Sequence, residues 1–294
     1  MLTLNTFRKF LWAVAALPLI ALGSCSDDDD LDGALDDALS DCDSLVEVTY
    51  TATLPASATR AFADGTSATA LYYALYNSDL TKVIDTNIGG TAVAMRTDLK
   101  ADVTFRLNPG KEYVVVFWAQ SPNVAAGAYT LDSAAATLTV DYTKIPSNSD
   151  VYDAFCYSER FVAKRGTPVV PAALTRPFAQ INVGMTADDW TACAPVSTSI
   201  SCNGTYTTLN LVTGAVSNSV NAQFKTAAVP STTNSFPLGS DYYYVAMAYV
   251  LAPAASQSVF VDFNFISSNG LVGIDAARAA TISRNHRTNY VYSE

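Results

Sequence analysis

Five cysteines, one histidine and two adjacent aspartates are the side chains of this 294-residue sequence whose types and spacing could do chemistry. Cys42, Cys156, Cys193 and Cys202 are an even set, which permits disulfides in an exported protein. Cys193 and Cys202 are near enough in sequence to staple a local hairpin, and four partly buried thiols are the equal alternative. With His286 as the only histidine, multi-histidine metal sites are excluded. Its polar surroundings, Ser283 to Thr288, suit a surface residue better than a general base. Asp188 and Asp189 precede Trp190, and neighbours in sequence splay in a turn instead of converging as acid and base must. The sequence holds no G-x-S-x-G, H-E-x-x-H, Walker glycine loop or C-x-x-C. The expectation is a protein that is not an enzyme and uses no cofactor or metal.

Cys25 is different. Arg8 and Lys9 precede an apolar run from Phe10 to Leu22, followed by Gly23, Ser24 and Cys25. That order of charge, apolar core and small residues is a secretory signal, and the run falls short of the roughly 20 residues a membrane span needs. Leu22-Gly23-Ser24-Cys25 resembles a bacterial lipobox, which implies diacylation of the Cys25 thiol and cleavage between Ser24 and Cys25. Residues 1–24 are then a lipoprotein signal peptide. Residues 25–44 read as an acidic, self-repelling tether, of which residues 26–44 reach at most about 60 Å at roughly 3.3 Å per residue. Ser26-Asp27-Asp28-Asp29-Asp30 within it resembles the acidic signal that exports lipoproteins of Bacteroides-type bacteria to the cell surface. The expected location is the cell outer membrane, reached through the lipid on Cys25.

Nine aspartates between Asp27 and Asp43 account for most of the net charge of -10; from Leu45 onward the chain is nearly neutral. Without a basic surplus it has no counterion-release drive toward DNA or RNA, so no nucleic-acid partner is expected.

The elements that must carry any site are strands. Val46 to Leu54 alternates apolar and polar residues, the pattern of a half-buried strand. Leu71 to Tyr76, Val103 to Leu107 and Tyr113 to Ala119 follow, the last two predicted as a hairpin through Asn108-Pro109-Gly110-Lys111. Tyr113 to Trp118 is apolar on both faces and belongs in the middle of a sandwich. Gly166, Pro168, Pro171 and Pro177 mark a domain boundary. Beyond it, Ala179–Met185, Val196–Cys202, Tyr206–Leu211, Asp241–Leu251, Val259–Ile266 and Ala279–Ser283 read as strands. The predicted fold is all-β: two transthyretin-like, Greek-key β-sandwich domains in tandem, residues 45–170 and 171–294. Tyr242-Tyr243-Tyr244, Trp118 and Trp190 could stack on sugar rings, but alternation along Tyr242 to Tyr249, which buries one side and leaves Tyr on the other as ordinary strands do, is the stronger explanation.

Several segments together resemble the Bacteroides-type fimbrillins, the type V pilins, and especially their two-domain relatives. They are the lipobox at Cys25, Thr59-Arg60-Ala61-Phe62, Leu71 to Tyr76, Phe117-Trp118-Ala119, Arg176-Pro177-Phe178-Ala179-Gln180-Ile181-Asn182-Val183 and Arg284 to Asn289. The resemblance implies a surface lipoprotein cut after Arg60 by an Arg-specific protease, so that Ala61 becomes the first residue. That cut would remove the lipid, the tether and the Val46 to Leu54 strand. The resulting gap would be filled by β-strand addition from another pilus subunit. The ending Asn289-Tyr290-Val291-Tyr292-Ser293-Glu294 is short for a strand donor, which speaks against a stalk subunit and leaves an anchor, tip or accessory subunit, or an unassembled surface lipoprotein, as the expectation. The competing expectation is a lipid-anchored surface glycan-binding module, which requires Tyr or Trp gathered on an exposed face.

Overall fold

The computed structural model describes residues 44–55, 65–230, 236, 238 and 241–292, with the side chains of 275–277 set aside. The signal peptide, nearly all of the tether, and Arg60 with Ala61 lie outside these residues. Residues 44–294 form one compact unit, and it is β-structured nearly throughout, as expected.

The first sheet has the order β10 (Val170–Ala173), β1 (Val46–Thr53), β5 (Lys100–Leu107). Facing it is a sheet of β3 (Val83–Thr86), β2 (Ala70–Asn77), β6 (Glu112–Gln120) and β9 (Ala154–Val162), with β4 (Val93–Ala94) paired to β2. The third and largest sheet has the path β17 (Val272–Ile282), β16 (Gln257–Ser267), β12 (Pro195–Asn210), β15 (Tyr242–Leu251), β11 (Phe178–Thr186), β18 (Arg287–Tyr292). Joined to it are the hairpin β7 (Tyr129–Asp132) and β8 (Thr137–Val140), β13 (Val216–Gln223) and β14 (Ala227–Ala228).

The apolar run in β6 sits where its composition requires. Tyr113, Val115, Phe117 and Ala119 enter the core shared with the first sheet. Val114, Val116 and Trp118 enter a second core, continuous with the interior of the third sheet. A strand with both faces in apolar surroundings cannot alternate, because successive side chains point to opposite faces and both are out of water. The third sheet folds over itself, placing the Tyr292 ring of β18 6.0 Å from Phe263 and 5.7 Å from Phe265 on β16.

Two expectations change. The Asn108–Lys111 turn is present, with Gly110 at φ +75° and its N–H donating to the Ala163 carbonyl, but it does not join a hairpin. β5 pairs with β1, and β6 pairs with β2 and β9, so the turn crosses from one sheet to the facing one. The doubly apolar β6 needs a strand on each side and a layer on each face, whereas the alternating β5 has only one face to bury. Val196–Cys202 and Tyr206–Leu211 are likewise one strand, β12, carried past Gly204 (φ +96°) by a bulge between Asn203 and Thr205. Sheet membership also crosses the 170/171 line in both directions: β10 follows it yet pairs with β1, and β8 precedes it yet pairs with β12.

Candidate functional site

β1 is the centre of the site. Valine and threonine dominate it, β-branched residues that suit an extended backbone, and the strand stops just before Leu54 and Pro55. Its inward residues, Val46, Val48, Tyr50 and Ala52, are all buried, as is Leu54 just beyond. They lie in one core with Leu71, Leu75, Phe105, Phe117, Phe155 and Leu174. The Tyr50 ring is enclosed by Phe161 at 5.4 Å, Phe117 at 5.7 Å and Phe105 at 6.4 Å between centroids. Burial, and then the nearby Glu159 charge, push its pKa far above the ordinary tyrosine value, so the phenol stays neutral.

The outward face is held by hydroxyls. Thr49 Oγ1 lies 2.8 Å from Thr104 Oγ1, and Thr51 Oγ1 donates to Asp102 Oδ1 at 2.6 Å. Arg96 donates to the other Asp102 oxygen at 2.7 Å. The bonds from Thr51 and Arg96 hold the Asp102 carboxyl below the usual carboxylate range. At the start of the strand Arg165 donates to Ser44 Oγ at 2.8 Å.

The pairing gives this strand its importance. All eight residues of β1 pair antiparallel with β5, and Tyr50 to Thr53 pair parallel with Val170 to Ala173 of β10. Among the described residues neither β5 nor β10 has another strand partner. Removing β1 would therefore dissolve the first sheet and leave two strands with unpaired N–H and C=O groups beside an apolar core, a costly state.

A buried ion pair fixes the chain just beyond β10. Arg176 donates to both oxygens of Asp153, at 2.5 and 2.6 Å, with 3% and 0% of the two residues exposed. The guanidinium lies 5.0 Å from the Phe155 ring centre and 5.9 Å from that of Tyr249. Phe155 belongs to the first core and Tyr249 to the second, so this pair sits where the two meet. Nothing in the sequence announces it, because Asp153 is 23 residues away and the segment reads as a proline-rich linker.

The other sequence candidates separate. Ser24, Cys25, Arg60, Ala61 and Cys42 lie outside the described residues. Cys202 carries a free, buried thiol, so no staple joins it to Cys193. Burial pushes the Cys202 thiol up to about 12 and that of Cys156 up to about 11, which makes both poor nucleophiles. Asp188 and Asp189 occupy the first turn of the helix Ala187–Cys193, not a loop turn. There the Thr186 hydroxyl accepts from the Asp189 backbone and donates to its carboxylate, a reciprocal cap. His286 is exposed, with Nδ1 2.7 Å from the Arg284 carbonyl. Trp118 and Tyr244 are buried, while Tyr242, Tyr243 and Trp190 are half-buried, with Trp190 stacked on Tyr243 at 4.8 Å, so the five rings do not share one exposed face. Among the described residues no three His, Cys, Asp or Glu side chains gather as a metal site.

Fold and site together define an all-β sandwich protein whose smallest sheet is held together by its first strand. The chain belongs to the family described as a family of unknown function, DUF6562, whose model matches residues 42–290. No curated protein matches it. Among solved structures it is similar to a candidate adhesin from Bacteroides thetaiotaomicron, at 9% identity and TM-score 0.49 over 78% of this chain and 79% of that one. A candidate cell adhesion protein from Bacteroides ovatus matches at 10% identity and TM-score 0.49, over 84% and 91%. A fimbrial assembly protein from Parabacteroides distasonis matches at 13% identity and TM-score 0.42, over 85% and 93%.

Proposed function

We propose that this chain is a fimbrillin-like surface lipoprotein, a structural or accessory subunit of a type V pilus with a role in adhesion rather than catalysis. Lipid on Cys25 holds the precursor at the outer membrane. Cleavage after Arg60 then frees the β1 segment. The observation that carries the reading is the position of β1 between β5 and β10, neither of which has another strand to pair with among the described residues. A chain stripped of β1 must take a strand from another subunit, with backbone bonds supplying affinity and alternate side chains supplying register. Repeated head to tail, such a contact does not close and builds a fibre.

Material sheared from the native cell surface tests this. The reading expects the chain in high-molecular-mass complexes that survive detergent at room temperature and dissociate on boiling, and lacking residues 25–60. Recovery solely as a monomer carrying residues 25–60 would overturn it.

Glycan binding is the second reading. It has a shallow cleft of about 280 Å³ between β8 and β13, lined by Thr139, Asp141, Thr143, Thr207, Asn221 and Gln223 among others. Its hydroxyl and amide groups and the Asp141 carboxylate suit sugar hydroxyls, although the cleft offers no exposed aromatic face. A glycan array with no binding would remove this reading.

A further inference from the structure

The slot occupied by β1 is not uniform along its length, and its shape constrains what can replace β1. At Tyr50 the cross-strand neighbours are Val103 and Val170, and three phenyl rings close around the side chain. Two residues on, Ala52 is flanked by Ala101 and Ala172, so three alanines lie abreast. All three are at most 1% exposed. Close-packed interiors leave no void above such a row, so the facing sheet comes within contact of the methyl groups. A deep pocket thus stands two positions from a shallow one, on the same face of one strand.

Resting on the strand-exchange reading above, we propose that this pair of positions selects the incoming strand. The strand belongs to another subunit, runs antiparallel to β5, and carries a bulky aromatic residue at the Tyr50 place and Ala or Gly at the Ala52 place. A slip of one residue turns the polar face inward. A slip of two pushes the aromatic into the alanine row, where overpacking opposes it. The deep pocket is built around the ring, which three phenyl rings enclose, so size and not the hydroxyl dominates what it reads.

The test uses the full chain cut once within residues 56–64, its own strand then exchanged against labelled peptides spanning residues 45–55. The variants sit in the peptide, so the folding of the chain is untouched. Wild-type peptide should enter, and the Tyr50→Phe peptide should bind within about threefold of it. Tyr50→Ala should weaken binding at least about a hundredfold, and Ala52→Phe at least about tenfold. If wild type enters and both of these variants match it, size selection is overturned while strand exchange stands. If wild type fails to enter even after the cut chain is unfolded, freed of its strand and refolded in its presence, strand exchange fails and takes the selection with it.

Discussion

β1 and β6 each lie in the middle of a sheet, and they could hardly be less alike. β6 contributes side chains to two cores and is paired along its length on both sides. β1 contributes to one core, is fully paired on one side and half paired on the other, and turns threonines to the solvent side. The difference separates a strand on which the whole fold depends from one on which a single sheet depends. A protein built to exchange a strand must give up one of the second kind, because losing the first would unfold it before a partner arrived.

The largest expected effect sharpens that contrast. Trp118 is buried, donates from Nε1 to Gln120 Oε1 at 2.7 Å, and stands edge-on to Tyr129 and Phe178. Trp118→Ala should cost about 5 kcal/mol in chemical denaturation, with the near-ultraviolet signals of both cores lost together. Retention of one core through the transition would break the comparison.

Next comes the joint between the two regions. Arg176→Ala leaves Asp153 charged and buried without its partner, at a cost of about 3 kcal/mol in the same measurement. Replacing both residues with apolar side chains of similar volume should recover most of that loss.

Smaller effects belong to β1 alone. Thr51→Val removes the bond to Asp102 while keeping the shape, and should modestly weaken retention of β1 in a chain cut within residues 56–64. The denaturation midpoint of the uncut chain should move little. Release of β1 timed by fluorescence checks both.

The smallest effect is acid release. Asp102 is held below the usual carboxylate range by Thr51 and Arg96, so its contribution is fully present above the ordinary aspartate value of about 3.9. It is lost as pH falls through the lower folded value. β1 release should therefore be flat from about pH 5 to 8 and quicken only below about pH 4. Quickening near neutrality would assign the hold on β1 to another group.

Much of this contrast was legible in the sequence. Strict alternation from Val46 to Leu54 marked a strand with one buried face, and the unbroken run from Tyr113 to Trp118 marked one with two. What was not legible is where each strand pairs. The Asn108–Lys111 turn has hairpin chemistry, yet local turn residues do not say whether the chain returns to the same sheet or crosses to the next. β10 has no signature of its own, because four residues containing Pro171 read as a linker, while an edge strand tolerates proline where a central one does not. The Arg176–Asp153 pair could not be foreseen at all, since each charge is buried only because the other is there.

The central claim is that β1 is surrendered, and the N-terminus of the chain recovered from its native cell surface tests it most directly. Intact mass and terminal peptide sequencing should show a chain that begins at Ala61. A chain that begins at acylated Cys25, in every surface fraction, would mean that β1 stays in its sheet, and would contradict the account.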